Sequence, residues 1–262
     1  MILKTMDGIP KATRYDSLFE DKEGGVTVAI IASTNKGKTE LAKSVIRQNS
    51  QHFDMMYLFS SKISSKQYKN YFFPSCIKNL DTSNKKALSN ELENLCNQVV
   101  RFNAELEIEK KSPLKCLGVI DDLSELLKPV SILNRVRHSK VSLLILAHNI
   151  SDFDLVQRSQ ITHWLLNQTL ALNVQTFKPI QSHFQTFRTS RPHDSVKYEY
   201  MLWKDNIPSS VYAVKVEEDD RELNKSYFVS RGQFSFEIQR IRRFISDMKK
   251  QSIQDRDSTL FQ

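Results

Sequence analysis

The chain has 262 residues, a formal net charge of +8 and 40% hydrophobic residues. This length suits one large α/β domain, alone or with a modest extension, and the apolar content excludes wholesale disorder. The basic balance favours a polyanionic partner, with nucleic acid as the first candidate and an acidic membrane surface as the second. The three cysteines are widely spaced and form no CxxC pair, which argues against a disulfide framework or a zinc site.

The sequence shows neither a signal-peptide pattern nor a membrane-spanning run. Residues 1–15 are mixed and charged, and no apolar run approaches the ~20 residues that a transmembrane helix needs. We therefore expect a soluble, intracellular protein without stable membrane insertion. Residues 1–24 form a predicted lead-in that ends at the turn Gly24-Gly25.

The strongest motif is the octet ASTNKGKT at residues 32–39, directly after the largely apolar run 26–31. The run predicts a buried parallel strand, and residues 40–47 predict a helix. Such a strand–loop–helix unit aims backbone N–H groups and a helix N-terminus at a polyphosphate. The predicted nucleotide-binding residues are Ala32, Ser33, Thr34, Asn35, Lys36, Gly37, Lys38, Thr39 and Glu40.

Two side chains of this phosphate loop carry predicted roles. Lys38 would reach the β- and γ-phosphates of ATP, and the Thr39 hydroxyl would hold Mg²⁺. Ala32 stands where the pattern usually has Gly, which is tolerated if the backbone there avoids positive φ. The alternative is an ordinary strand–turn–helix with a coincidental lysine.

Further apolar runs alternate with helical patterns along the chain. This alternation predicts a three-layer α/β fold with a mostly parallel central sheet, in a core that covers residues 25–175. A stretch rich in Ser and Lys, residues 60–70, predicts a loop. The predicted strands are 55–59, 116–120, 141–147 and 164–166, and the predicted helices include 85–111 and 130–138.

An acidic pair follows the predicted strand 116–120. Asp121 would hold the Mg²⁺ of the nucleotide through water, and Asp122 would orient and deprotonate the attacking water. We expect strand 55–59 to be inserted between the two motif strands, as in ATPases with an additional catalytic acid rather than in simple kinases. The alternative is an aspartate that caps the next helix.

Polar and basic residues surround the predicted strand 141–147. At its end, His148 and Asn149 could contact the γ-phosphate, although His148 could equally be a strand-end histidine with a local contact. In ring-forming ATPases an arginine of one subunit commonly completes the neighbour's site, and Arg135, Arg137 and Arg158 are the candidates. Each of the three could instead be a solvated surface side chain.

The character of the chain changes after about residue 175. Residues 196–202 and 211–216 predict strands, and residues 234–250 predict a helix with several basic side chains. We predict a C-terminal α+β extension over residues 176–262. Its basic helix could contact phosphates or present a solvated face.

Several segments together resemble the poxvirus-type genome-packaging ATPases of the FtsK–HerA superfamily. They are ASTNKGKT, MMYLFSS, YKNYFFP, VIDDL and RHSKVSLLILAHN...LVQRSQITHW. The likeness covers roughly residues 24–170, and His148 stands where the family usually has Gln. It implies a P-loop NTPase of the RecA-like group with an additional strand and acid (ASCE), with ATP and Mg²⁺ as its cofactors.

The resemblance further implies a motor that moves double-stranded DNA, without sequence readout, into a preformed viral capsid. It implies a ring, usually a hexamer, in which the neighbouring subunit supplies Arg137 or Arg158. A capsid or portal-vertex protein would be its partner, at the viral assembly site of the host cell or in the virion. Two alternatives stay open: a nucleotide or small-molecule kinase, and a DNA- or capsid-binding protein with a degenerate ATP site.

Overall fold

The computed structural model describes residues 3–4, 10–12, 18–19, 24–68, 71–72, 74–108, 110–127, 133–167, 199–204 and 207–213. The strands within them are β1 (Leu3–Lys4), β2 (Pro10–Ala12), β3 (Thr27–Ile31), β4 (Met55–Ser60), β5 (Ile77–Asn79), β6 (Cys116–Asp121), β7 (Val141–Ala147), β8 (His163–Asn167), β9 (Glu199–Lys204) and β10 (Ile207–Ala213). The α-helices are α1 (Lys38–Asn49), α2 (Ala87–Ile108), α3 (Ser124–Leu127), α4 (Leu133–His138) and α5 (Leu155–Gln160).

The described strands form one sheet in the order β1-β2-β10-β9-β8-β3-β7-β6-β4-β5. From β8 to β5 every pairing is parallel, so the carboxyl ends of these six strands lie at the same edge of the sheet. The pairs β8–β9, β9–β10 and β1–β2 are antiparallel. This architecture confirms the predicted α/β fold with a mostly parallel central sheet.

The central strands β3 and β7 are continuous apolar runs because both faces of the sheet are covered there. Every residue of β3 and of β7 is buried, including the polar Thr27 and Ser142. At the start of β3 its backbone lies very close to that of β7, since a Cβ atom added to Gly25 would lie 1.8 Å from the carbonyl oxygen of Val141. Only glycine fits at that position without a shift of the backbone.

The helices bury one apolar side against the sheet and against each other. Helix α1 packs against β3 and β7, α4 packs against β7, and α2 contacts α3 and α4. The buried residues of α2 follow the predicted helical spacing: Leu88, Leu92, Leu95, Cys96 and Val99. Among the residues described, no helix combines the length and the apolar character needed to cross a bilayer.

One prediction about the sheet is wrong. The strand between the two motif strands β3 and β6 is β7, whereas β4 lies beyond β6, next to β5. Residues Met56 and Tyr57 of β4 are half-buried, which suits a strand near the edge, while the fully buried β7 suits the centre. An additional strand therefore does separate the motif strands, but it comes from later in the chain.

The segment predicted as a loop over residues 60–70 is more regular than expected. Ser60 is the last residue of β4, and a 3-10 helix covers Ser64–Tyr68. Its backbone turns are closed by hydrogen bonds, such as that from the Lys66 N–H to the Ile63 carbonyl oxygen at 3.3 Å. The spacing of apolar residues does not reveal these short i→i+3 turns, because they have no amphipathic face.

Two strands of the predicted C-terminal extension join the sheet of the core. Strand β9 pairs with every residue of β8, and β10 pairs with both β9 and β2. The observed strands differ by a few residues from the predicted spans 196–202 and 211–216. The predicted basic helix 234–250 lies outside the described residues.

Candidate active site

The phosphate loop joins the carboxyl end of β3 to the start of α1, as predicted. Ala32 is buried and does not have positive φ, so the replacement of the usual glycine costs no backbone strain. The left-handed positions are Asn35, with φ of 60°, and Gly37, with φ of 76°. Asn and Gly are the residues that adopt this conformation most readily, and successive turns of this kind direct N–H groups toward an anion.

Lys38 is the first residue of α1, and its ammonium group is held by strand ends. Its Nζ atom donates to the carbonyl oxygens of Ala32 at 2.9 Å and Ala147 at 3.3 Å, and it lies 3.1 Å from Nδ1 of His148. Burial lowers the pKa of Lys38, and the nearby carboxylates, Asp121 foremost, oppose this effect. The three N–H bonds of the ammonium group are thus all directed at the carboxyl ends of β3 and β7.

The Lys38 contact also assigns a hydrogen-bonding role to His148. An ammonium group only donates, so Nδ1 of His148 accepts and the ring hydrogen lies on Nε2. Asp152 fixes the backbone beyond it, since its Oδ2 atom accepts from the N–H groups of His148 and Asn149 at 3.0 Å each. Both predicted sensor residues therefore lie at the carboxyl end of β7, and His148 contacts the predicted phosphate-binding lysine.

Asp121 ends β6 beside the phosphate loop, on the side of Thr39. The Thr39 hydroxyl lies 3.5 Å from Oδ2 of Asp121, and the buried Tyr68 hydroxyl donates to the same oxygen at 2.8 Å. Burial raises the pKa of Asp121, and this hydrogen bond and Lys38 act in the opposite direction. Burial and the neighbouring Asp121 raise the pKa of Tyr68 well above its usual value, so the phenol stays a proton donor.

Asp122 differs from Asp121 in both exposure and backbone geometry. Asp122 is exposed, and its backbone is in the left-handed conformation, with φ of 59°. Its Oδ2 atom accepts hydrogen bonds from the hydroxyls of Ser61 at 2.8 Å and Ser64 at 2.7 Å. A non-glycine residue in this conformation is uncommon and concentrates at functional sites.

The candidate arginines lie in three different surroundings. Arg135 is bound within the chain, by Glu93 at 2.8 Å and by Asn97. Arg158 donates from Nε to the carbonyl oxygen of Phe153 at 3.0 Å. Arg137 is exposed and lies at the amino edge of the sheet, where its carbonyl oxygen accepts from the Gly25 N–H at 2.9 Å.

Arg137 is therefore at the opposite edge of the sheet from Lys38. The eight residues from Gly25 to Ala32, seven steps along an extended chain, place the two edges roughly 20 Å apart. The remaining predicted residue of the loop region, Glu40, accepts from Lys43 at 2.7 Å on the surface of α1. The structure thus brings Lys38, Thr39, Asp121 and His148 together but leaves Arg137 away from them.

Four hydroxyl contacts at the site have no signal in the sequence. Three are those of Ser61, Ser64 and Tyr68 to the acidic pair. The fourth comes from β9, where the buried Tyr200 donates to the carbonyl oxygen of Lys36 at 2.9 Å. The contact of Tyr200 joins residues 164 positions apart, so only the folded sheet reveals it.

Solved structures of ATPases share the fold of this chain at low sequence identity. The pCW3 conjugation coupling protein TcpA, in a monomer form with ATPγS, matches with a TM-score of 0.56 and 12% identity over 85% of this chain and 75% of its own. The cytoplasmic domain of the type VII secretion ATPase EccC from Thermomonospora curvata matches with a TM-score of 0.56 and 16% identity over 84% of this chain. EssC (ATPases 2 and 3) from Geobacillus thermodenitrificans has a TM-score of 0.52 and 13% identity over 84% of this chain.

These likenesses concern the fold, since the chain spans only 45% of the EssC chain and 29% of the EccC chain. They define an α/β protein with the fold of the P-loop ATPases. The chain belongs to the Poxvirus A32 protein family, whose model matches residues 12–183. This match confirms the resemblance that the motifs indicate. No curated protein sequence matches the chain.

Proposed function

We propose that this chain is an ATP-hydrolysing motor that packages double-stranded DNA into a viral capsid. Its membership of the Poxvirus A32 protein family supports a DNA-packaging ATPase. The main observation in support of the proposal is that Lys38, Thr39 and Asp121 lie together at one edge of the parallel sheet, although Thr39 and Asp121 are 82 residues apart in the chain. A capsid or portal-vertex protein is the proposed partner, and the viral assembly site is the proposed place of action.

The phosphates of ATP are proposed to bind in the loop formed by residues 32–40. The N–H groups around Asn35 and Gly37 form the concave surface, and the N-terminus of α1 adds its partial positive charge. Lys38 exchanges its carbonyl partners, Ala32 and Ala147, for the β- and γ-phosphates. Because burial already penalises its charge, an added anion stabilises the ammonium group.

Thr39 and Asp121 fit a magnesium site because both present oxygen atoms, the ligands that Mg²⁺ prefers. Their side chains lie 3.5 Å apart at the end of the phosphate loop, and Tyr68 fixes the carboxylate from behind. Thr39 would bind the ion directly and Asp121 through water. When bound, Mg²⁺ neutralises charge on the phosphate oxygens.

Asp122 is proposed as the general base of hydrolysis. Its exposed carboxylate accepts a proton from water while the water oxygen forms a bond to the γ-phosphorus. The bond from that phosphorus to the bridging oxygen breaks, and ADP and inorganic phosphate are the products. His148 and Asn149, at the end of the adjacent β7, are proposed to respond to the γ-phosphate, and His148 does so through Lys38.

Steady-state ATP hydrolysis by the full chain, with and without linear duplex DNA, tests this function. We expect hydrolysis that requires Mg²⁺ and that duplex DNA accelerates irrespective of base sequence, because a packaging motor grips phosphates rather than bases. Raising the salt concentration should weaken the stimulation steeply, since counterions are released when lysines and arginines bind the DNA backbone.

Two results would contradict the motor. Hydrolysis that is indifferent to DNA of every length would leave an ATPase without a translocation role. Transfer of the γ-phosphoryl group to a nucleotide or another small acceptor, in place of water, would favour a kinase.

We further propose that the chain acts as a ring, most simply a hexamer, with ATP between subunits. The exposure of Arg137 at the edge roughly 20 Å from Lys38 supports this arrangement. An arginine there cannot reach the nucleotide of its own chain, but a neighbouring copy can present it. Heterologous contacts of this kind form a ring when the rotation between neighbouring copies closes.

Mixing two inactive variants tests the composite site. We expect Lys38→Ala and Arg137→Ala each to lack hydrolysis, and a 1:1 mixture to regain activity because about a quarter of the interfaces then carry both intact residues. Arg135→Ala is the matched control, since Arg135 lies on the same helix and is bound to Glu93 of its own chain. An Arg137→Ala variant that hydrolyses ATP normally, or a mixture without regained activity, would point to Arg158 or to a site within one subunit.

A further inference from the structure

A short segment after β4 holds both acids of the candidate active site. This acid-binding segment comprises residues 61–68. Its Tyr68 donates to Asp121, and its Ser61 and Ser64 donate to Asp122. The mechanism proposed above assigns no role to these serine contacts, although they bind the carboxylate that must take a proton from water.

The two ends of the acid-binding segment are fixed. Ser61 directly follows β4, and at the other end Tyr68 is fully buried, with its ring edge-on to those of Tyr71 and Phe72. Between these ends the backbone is closed by short turns, including a bond from the Lys66 N–H to the Ile63 carbonyl oxygen at 3.3 Å. A displacement of the middle therefore changes the contact of Ser64 with Asp122, while the contact of Tyr68 with Asp121 persists.

The middle of the segment is open and basic. Lys62 and Lys66 are exposed, and 79% of the surface of Ile63 between them is accessible to solvent. Within the described part of the chain neither lysine forms an ion pair with a carboxylate. Two exposed lysines of this kind suit the phosphate backbone of a nucleic acid, where charge neutralisation supplies most of the affinity.

The serines can hold only one acceptor at a time. Each hydroxyl has a single proton, and both protons are directed at Oδ2 of Asp122. A phosphate oxygen is an equally suitable acceptor for a serine hydroxyl, and such contacts are common in DNA complexes. When a phosphate bound by Lys62 or Lys66 receives a serine hydroxyl, Asp122 loses that hydrogen bond.

We propose that the acid-binding segment makes hydrolysis responsive to DNA. Lys62 and Lys66 bind the phosphate backbone of duplex DNA, and Ser61 and Ser64 transfer their hydrogen bonds from Asp122 to phosphate. Asp122 is then released to take the proton of the attacking water. This inference rests on the proposed function, in which Asp122 is the general base.

The double variant Lys62→Gln, Lys66→Gln tests the DNA contact. We expect the ratio of DNA-stimulated to DNA-free hydrolysis to fall to about one, and the slope of log binding constant against log salt to decrease by about 2. The matched control is Lys110→Gln, Lys115→Gln, which removes the same charge from exposed positions before β6, at the opposite edge of the sheet. The control should keep both the stimulation and the salt slope.

The double variant Ser61→Ala, Ser64→Ala tests the link to Asp122. We expect its DNA-free hydrolysis to rise toward the DNA-stimulated rate of the unaltered chain, with little further stimulation by DNA. The lysine variant keeps the inference testable if the serine variant does not fold, because Lys62 and Lys66 are exposed.

The outcomes separate this inference from the proposed function. If the unaltered chain fails to hydrolyse ATP or ignores DNA, the proposed function fails first. If the unaltered chain is stimulated by DNA and the lysine variant is stimulated equally, or the serine variant keeps a normal stimulation ratio at a reduced rate, the inference alone is overturned.

Discussion

Replacing Lys38 with alanine should lower the affinity for ATP about 100-fold and abolish measurable hydrolysis. The reason is that the half-buried ammonium group lies between the ends of β3 and β7, at the phosphate loop, with Asp121 close by. Without it, the β- and γ-phosphates lose their lysine ligand, and the backbone N–H groups, the helix terminus and Mg²⁺ oppose their negative charge less completely. Equilibrium titration with a fluorescent ATP analogue in the presence of Mg²⁺ measures the affinity.

Lys43→Ala is the matched control for this experiment. Lys43 lies on the same helix, and its amino group pairs with Glu40 rather than with the strand ends that hold Lys38. The control should bind and hydrolyse ATP like the unaltered chain. Equal ATP affinity in Lys38→Ala and Lys43→Ala would exclude Lys38 as the phosphate ligand.

Asp122→Asn should retain ATP binding and lose hydrolysis by about 10²- to 10⁴-fold. The amide cannot accept a proton from water, yet it can still accept the hydrogen bonds of Ser61 and Ser64. The substitution also suits the backbone, because asparagine adopts the left-handed conformation at φ of 59° as readily as aspartate does. Single-turnover hydrolysis of radiolabelled ATP, measured beside the binding titration, separates chemistry from affinity.

A control for the removal of one carboxylate is Asp81→Asn. Asp81 is exposed, is bound to Ser83 and follows β5, which is four strands from β3 in the sheet, so its replacement should leave hydrolysis unchanged. Undiminished hydrolysis in Asp122→Asn would contradict the assignment of the base. A parallel loss of ATP affinity would instead indicate that the substitution disturbs the phosphate loop.

Much of the parallel sheet could be predicted from the sequence because strands buried on both faces are continuous apolar runs. The runs that became β3, β6 and β7 are of this kind, and the loop and acids that follow two of them have distinctive side chains. The order of the strands across the sheet could not be predicted from these apolar runs. Chain order places the segment of β4 between the motifs, whereas packing places the more apolar β7 there.

The elements that escaped prediction are short and lack an apolar period. Strand β5 has three residues, and none of them is fully buried. Helix α5 begins with two exposed apolar residues, Leu155 and Val156, so its pattern does not indicate a buried face. The local signal for α5 is instead its capping box, in which the side chains of Asp154 and Gln157 each accept from the other's backbone N–H.

The hydroxyl contacts of the site escaped prediction for a different reason. Tyr68, Ser61 and Ser64 reach acids more than 50 positions later in the chain, and nothing in a segment rich in serine and lysine distinguishes these side chains. The two acids could be predicted from the sequence because they directly follow a strand. Residues that form the site could thus be predicted, while those that position them required the fold.

The bond from Tyr200 to the Lys36 carbonyl oxygen has a consequence for the order of synthesis. A ribosome that adds about 5–20 residues per second completes the phosphate loop roughly 8–30 s before it adds the tyrosine 164 positions later. During that interval the nascent chain contains the phosphate loop and gains the acids Asp121 and Asp122, but it lacks β9, whose Tyr200 binds the Lys36 carbonyl oxygen. The contact that holds the phosphate loop at Lys36 can therefore form only late in translation, once β9 is available to pair with β8.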